Sequence, residues 1–408
     1  MSLAQSLGFS PERLAKLDRF ITEKYLKPGR MPCAQVLIAR HGEIVHEFVG
    51  GRRDIARDLP CESDTLFRIY SMTKPITSIA FMMLVEEGLV ALDDPVHRFI
   101  PEWKDLGVFV AGVAGAFQTK PVARPMQMVD LLRHTSGLTY GFQNRTNVDA
   151  AYRKLGVGEI GSTISLDDMI AALATLPLEF SPGEAWNYSV STDVLGYLVG
   201  KISGVPFERF VKERIFTPLG MVDTDFQVAA GQEGRFAACY SATPKGGMDL
   251  QDDPQTSDYL APPGLVSGGG GLVSTASDYM KFCQMLLNRG EYQGHQLIAP
   301  KTLDLMTANH LPDGKDLTQL SRSLFSESTN AGVGFGLGFA VVQDAPRTLV
   351  PCSDGEFYWG GAASTAFWID PAEDLSVVFM TQLLPSSAYP IRRELRTLVY
   401  SALVEPAA

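Results

Sequence analysis

Strand-like patterns occupy the two ends of this chain and helical periodicity fills its middle, so any sheet must be assembled from segments far apart in sequence. Near the amino end, Val36-Leu37-Ile38-Ala39 and Ile44-Val45-His46-Glu47-Phe48 flank Arg40-His41-Gly42-Glu43, whose glycine suits a hairpin turn. Towards the other end, 339–342, 364–369 and 375–381 are three further strand candidates, the last two around Asp370-Pro371-Ala372-Glu373-Asp374. Ser10 and Pro11 start a helix with Leu14, Leu17, Phe20, Ile21 and Tyr25 on one face, and 392–403 reads as a closing helix. Helical patterns at 128–132, 166–176, 192–202 and 207–215 lie between. Segregated runs of strands and helices predict α+β organisation rather than a doubly wound sheet. We expect an α/β domain from residues 1–70 and 262–408, with a mostly helical domain at 71–261 inserted between its halves.

The chain's 408 residues, 45% of them hydrophobic, suffice for a large core and about two domains. Its formal charge of −11 contains no basic block, which argues against nucleic acid and anionic membranes as partners. Cys33, Cys61, Cys239, Cys283 and Cys352 are scattered, odd in number and without C-x-x-C spacing, so neither a disulfide framework nor a zinc site is suggested. No basic segment and long apolar run marks the first residues as a secretory signal, and a cytoplasmic location is expected. The most apolar run, 76–85, is too short to span a bilayer. His41, His46, His97, His295 and His310 make no metal spacing, and no cofactor is expected.

That apolar run follows the only S-x-x-K in the chain, Ser71-Met72-Thr73-Lys74. On a helix the two side chains share a face, so the amine can take the hydroxyl's proton without a histidine. Burial favours the neutral form of such a lysine. Trp186-Asn187-Tyr188-Ser189-Val190 places a phenol just before a predicted helix, and Trp359-Gly360-Gly361-Ala362 precedes a predicted strand. Two glycines there let backbone approach a substrate closely.

In these residues the chain resembles the serine β-lactamase and penicillin-binding-protein superfamily, closest to class C β-lactamases and family VIII carboxylesterases. Supporting stretches in family order are Thr65-Leu66-Phe67-Arg68, Leu131-Leu132-Arg133-His134-Thr135-Ser136-Gly137-Leu138, Phe180-Ser181-Pro182-Gly183, Tyr188-Ser189, Pro218-Leu219-Gly220-Met221 and Gly270-Gly271-Leu272-Val273-Ser274-Thr275. The resemblance implies a β-lactamase-like fold, an antiparallel sheet flanked by helices, with the site in the cleft between the two domains. It implies Ser71 as acylated nucleophile, Lys74 as its activator and Tyr188 as the phenol that shuttles a proton to the leaving group. The backbone N–H groups of Ser71 and Ala362 would form the oxyanion hole.

Two departures bear on the substrate. Where the lactamase pattern has Tyr-x-Asn the chain has Tyr188-Ser189-Val190, and where it has Lys-Thr-Gly the chain has Trp359-Gly360-Gly361. Apolar surface thus replaces an amide and a cation, which favours a small uncharged ester. Tyr140, Phe142, Val190, Tyr358, Trp359, Gly360 and Gly361 are the expected pocket residues. Lys245-Gly246-Gly247 is a decoy for Lys-Thr-Gly: no strand pattern follows it, and it reads as loop. Gly268-Gly269-Gly270-Gly271 lacks the Lys-Ser/Thr of a phosphate cradle and reads as a packed turn. His134 is the candidate histidine for a rival triad, but no G-x-S-x-G accompanies it. Hydrolysis is the expected reaction. Acyl transfer, a β-lactamase or D-Ala peptidase, and a non-catalytic binding module are the alternatives. The oligomeric state is left open.

Overall fold

The computed structural model describes residues 2–159, 162–322 and 330–407. Strands β1 (Cys33–Arg40) and β2 (Glu43–Asp54) form the expected hairpin, turning on His41 and Gly42 at φ +52° and +77°. Two consecutive left-handed residues give the turn the twist that antiparallel strands need. The short β3 (Leu59–Pro60) lies beyond β2 at the sheet edge, where a proline's missing N–H does no harm. From the other end of the chain come β4 (Val333–Phe335), β5 (Ala340–Val342), β6 (Phe357–Gly360), β7 (Ala366–Asp370) and β8 (Leu375–Met380). The eight strands run β4-β5-β6-β7-β8-β1-β2-β3, and every pairing is antiparallel. The two ends of the chain therefore meet where β8 pairs with β1, from Gln35 opposite Met380 to Arg40 opposite Leu375.

Five helices frame the sheet and the cleft: α1 (Pro11–Ile21), α2 (Thr73–Glu86), α3 (Ser191–Ser203), α4 (Ala276–Leu287) and α5 (Ile391–Ala402). β1 is buried along its whole length because helices cover both sheet faces. Val36 and Ile38 pack with Leu14, Leu17 and Ile21 of α1 and Leu395 and Val399 of α5, while Leu37 and Ala39 join the larger core that includes α4. Each large apolar side chain so buried contributes about 1.5–3 kcal/mol. α2 is buried from Thr73 to Leu84 and packs against α3, which accounts for its unbroken apolar run.

The structure departs from the sequence reading at several elements. β4, β6 and α4 were not expected. β4 spans three residues and β6 four, three of them aromatic, so neither shows a period long enough to read. A strand, Met248–Asp252, does follow Lys245 and pairs with Cys239–Ala242. Lys245 stays exposed in the turn between them, so it remains loop. Leu383–Leu384 pairs in parallel with Cys239–Ala242, tying residues 239–252 to the carboxyl end.

A buried ionic cluster joins β6, β7 and α5. The Tyr400 hydroxyl lies 2.6 Å from Glu356 Oε2 and 2.6 Å from Asp370 Oδ2, and Arg396 stands 2.7 Å from Glu356 Oε1. One phenol has a single hydrogen, so two such short contacts to carboxylates need a second proton among the three groups. Burial supplies the reason, pushing Glu356 up to about 7 against the opposing pull of Arg396. The native state thus binds a proton that the unfolded chain releases above its ordinary value of 4.5, and Glu356's contribution to stability falls as pH rises from 4.5 to about 7. The stability of Glu356→Gln relative to wild type should therefore improve by about 3 kcal/mol between about pH 4.5 and pH 8. Urea unfolding of both proteins across that range measures it. A difference that stays flat with pH contradicts a protonated Glu356.

Candidate active site

Ser71 stands in a 3-10 turn, Tyr70–Met72, that runs directly into α2. Tyr70 holds φ +43°, a conformation that costs a bulky residue about 1–3 kcal/mol. Its ring is locked against Cys239 and Ala363, so the surrounding core maintains the bend that presents Ser71 to the cleft. One turn later Lys74 is 2% exposed. Its Nζ lies 3.2 Å from Ser71 Oγ, 3.0 Å from Tyr140 OH and 2.7 Å from the Gly269 carbonyl oxygen, and it sits 4.5 Å from the centre of the Tyr188 ring. Three acceptors match the three hydrogens of an ammonium, and a ring face adds cation–π attraction. Lys74 is thus fully partnered in the cleft.

The phenol bonded to Lys74 is Tyr140, which the sequence placed among the pocket residues. Tyr140 in turn hydrogen-bonds Asp193, and burial together with that carboxylate pushes its pKa well above the usual phenol range. Asp193, in the first turn of α3, also accepts from Gly269 N–H at 3.0 Å and from the Ser267 hydroxyl. The four-glycine turn is packed as expected, yet it belongs to the site: a Cβ on Gly269 would lie 2.5 Å from Asp193 Oδ2 and 2.9 Å from Tyr140 OH. Asp193 and Gly269 were missed in the sequence. The available signal was a glycine run with no left-handed residue to require it, which indicates close packing.

Tyr188 packs its ring against Tyr140, Trp359 and His134, with centroids 5.3, 5.5 and 5.1 Å away, and its hydroxyl lies 3.4 Å from Trp359 Nε1. His134 is enclosed by Trp186, Tyr188 and Phe335, with Nδ1 3.3 Å from Ser189 Oγ. Burial, and then the charge of Lys74, holds it well below the usual histidine range, so it is a neutral core ring. Beside these residues opens a cavity of about 970 Å³. Ser71, Tyr140, Phe142, Tyr188, Tyr358, Trp359, Gly360, Gly361 and Ala362 all border it. Phe142 is 54% exposed and stacks on Tyr140 at 4.8 Å. Tyr358 alternates away from Trp359 along β6 and lies under the Arg396 guanidinium at 3.9 Å. Val190 is the exception: it is fully buried at the start of α3, packed against Gly158, and does not reach the cavity. A side chain two residues past Tyr188 is turned inward by the onset of the helix.

Gly360 and Gly361 are also required by close packing within the protein. A Cβ on Gly361 would fall 2.2 Å from Thr365 Oγ1 and 2.5 Å from the carbonyl oxygen of Ile69, and one on Gly360 2.6 Å from Arg392 Nη2. They bring the end of β6 against the segment that leads into Ser71 and against α5, while both border the cavity. Among the described residues, neither the Ser71 nor the Ala362 backbone N–H has an acceptor within the protein. Two unsatisfied donors beside one hydroxyl can receive an oxyanion.

The chain belongs to the β-lactamase family, whose model, described as Beta-lactamase, matches residues 18–401. It is 38% identical to Protein Rv1367c of Mycobacterium tuberculosis over 342 residues, 82% of each chain. Esterase EstB of Burkholderia gladioli is 30% identical over 411 residues, 95% of each. The solved structure of EstCE1, described as a hydrolase with promiscuous acyltransferase activity, superposes with a TM-score of 0.79 at 26% identity, covering 95% of this chain and 99% of that one. The α+β, β-lactamase-like fold is thereby shown.

Gly361→Ala should cost at least about tenfold in turnover, because the added methyl meets both Thr365 Oγ1 and the Ile69 carbonyl and so displaces Ile69 or the end of β6, and with it one of the two donors. Steady-state kinetics beside a thermal melt will separate that loss from unfolding. Wild-type turnover in a folded Gly361→Ala protein would mean that the contact with Ile69 is slack.

Proposed function

We propose that this protein is a serine esterase that hydrolyses small, uncharged carboxylic esters through an acyl-enzyme on Ser71. The observation that carries the reading is the Lys74 amine 3.2 Å from the Ser71 hydroxyl, beside two backbone N–H groups without acceptors among the described residues. Ser71 Oγ attacks the ester carbonyl as its one proton passes through Lys74 to Tyr188. The carbonyl oxygen gains negative charge and is received by the N–H groups of Ser71 and Ala362. Tyr188 returns the proton to the departing alcohol, leaving Ser71 acylated. Water then attacks the acyl carbon by the same route, releasing the acid and restoring the hydroxyl.

The shuttle falls to Tyr188 rather than Tyr140 for a physical reason. Tyr140's hydroxyl is engaged between Lys74 and Asp193, and its raised pKa keeps it a neutral phenol. Tyr188 borders the cavity, with its hydroxyl beside the indole of Trp359. The cavity presents Tyr188, Trp186 and Trp359 where an acyl group would lie. Four arginines border it too, but Arg153 and Arg396 pair with Asp149 and Glu356, and Arg392 and Arg393 donate to backbone carbonyls, of Gly361, Thr365 and Leu349. A substrate carboxylate would be desolvated there at a cost of several kcal/mol, which a neutral ester escapes. The esterase relative EstB supports the reaction class.

A second reading, acyl transfer to an alcohol, is favoured by the cavity's 970 Å³, which leaves room for an acceptor beside a short acyl group. The promiscuous acyltransferase activity ascribed to EstCE1 points the same way. No helix among the described residues is long and apolar enough to cross a membrane, and all five cysteines are free thiols. A reducing cytoplasm would keep them so, and there we place the enzyme.

Ser71→Ala should fold and show no ester turnover, and an active-site phosphonate should label the wild type at Ser71 by mass spectrometry. An adduct on another serine sinks the mechanism. Lys74→Ala and Tyr188→Phe should each lose several orders of magnitude and the double variant little more, because they act as a unit. Tyr140→Phe should lose less than either.

Nitrophenyl acetate or butyrate should be hydrolysed far more efficiently than a chromogenic cephalosporin by the same preparation. Equal efficiencies would refute the ester assignment. Fast transfer to an added alcohol with negligible hydrolysis would move the protein to the acyltransferase reading.

A further inference from the structure

We infer that Arg392 is a positioning residue of the oxyanion hole, aiming the Ala362 N–H at the reacting carbonyl by holding the other end of the same peptide. The inference rests on the reading of Ala362 as an oxyanion donor. Arg392 lies in the first turn of α5, and its Nη2 donates to the Gly361 carbonyl oxygen at 2.6 Å and to that of Thr365 at 2.8 Å. Gly361 O also accepts from Ser364 N–H at 3.2 Å, and Gly361 N–H donates to Thr365 O at 2.9 Å. The guanidinium therefore closes the tight bend 361–365 that follows β6.

The Gly361–Ala362 peptide is trans, so its C=O and N–H point in opposite directions. With its oxygen fixed from the α5 side, its N–H is directed away from α5. Nothing among the described residues holds that N–H itself, since Ala362 lies past the last ladder pair of β6 and donates to no acceptor there. Glycine at 361 removes the steric barrier that would otherwise resist a peptide flip. A flip would turn a carbonyl oxygen toward the developing negative charge. The two bonds to Gly361 O are what oppose it, and only one of them is charge-assisted. That bond also draws electron density to the oxygen and makes the amide a stronger N–H donor. Gly360 shows how closely the arginine is seated: a Cβ there would meet its Nη2 at 2.6 Å and its Cζ at 2.7 Å.

The experiment compares wild type, Arg392→Ala and Arg392→Lys on nitrophenyl butyrate and on its thiono analogue, whose sulfur fits an oxyanion hole poorly. For Arg392→Ala kcat should fall about 10- to 100-fold, less than the loss from deleting an oxyanion donor outright, with KM within about threefold of wild type. Binding of a trifluoromethyl ketone, which forms a tetrahedral adduct, should weaken by the same factor. The residue borders the cavity, so millimolar methylguanidinium should restore kcat to Arg392→Ala, and equal potassium chloride should not. Arg392→Lys should fall between the two, and it carries the test if the alanine variant does not fold. A folded variant with wild-type kcat and ketone affinity overturns the inference, as does a rise in KM with kcat unchanged. Wild-type enzyme that turns over the thiono ester as fast as the ester would instead overturn the oxyanion hole itself, whatever Arg392 does.

Discussion

Burying the Lys74 amine is the constraint on which the rest of the site depends. An ammonium taken out of water without partners is costly by several kcal/mol, and this one is 2% exposed. Its acceptors come from its own helical turn at Ser71, from Tyr140 in the helical middle of the chain, and from Gly269 in the turn before α4. Three segments separated by up to 195 positions therefore have to converge before the lysine is stable in place. Hydrogen bonds to a charged group contribute about 1.5–3 kcal/mol each. The cleft is thus assembled by the same contacts that would activate its hydroxyl.

The sheet supplies the opposite wall. Because β8 pairs with β1, the carboxyl-terminal strands are fixed relative to the segment that leads from β2 to Ser71. β6 then needs only a close approach to Ile69 to bring Ala362 beside the nucleophile, and Gly361 makes that approach sterically possible. α5 packs on the far face through Leu395 and Val399 and delivers Arg392 to the end of β6. Stability and site geometry share these elements, so neither can be altered at the end of β6 without the other.

The hairpin at β1–β2, α1, α5 and the strands β7 and β8 were legible because each combines a clear period with turn or cap chemistry. β4 and β6 were not, since three or four residues give no period and their pairing is decided by neighbours from elsewhere in the chain. Ser71, Lys74, Tyr188 and Trp359 were legible as short patterns; Lys74 lies against Ser71 and the Tyr188 ring, and Ser71, Tyr188 and Trp359 border one cleft. What stayed hidden was connection rather than identity. Lys74 and Tyr140 are 66 positions apart, and Asp193 looks like an ordinary acidic residue in the first turn of a helix. Val190 went wrong because a pattern position does not say which way a side chain turns where a helix begins.

On the proposed mechanism, the two phenols around Lys74 would divide a task that one could not perform alone. A proton shuttle has to gain and lose a proton near the lysine, so it is ill suited to be the fixed partner that holds the lysine amine in place. Tyr140, raised in pKa and tied to Asp193, is suited to the fixed role. Tyr188 keeps its ring face against Lys74 while its hydroxyl lies near Trp359, at the edge of the cavity where a leaving alcohol would pass. Trp359 stands where the lactamase pattern has a lysine, so one substitution both removes a counter-ion for a substrate carboxylate and gives the shuttling hydroxyl a neutral N–H partner. On the esterase reading proposed above, selectivity for uncharged esters and the placement of the shuttle would both follow from this one side chain.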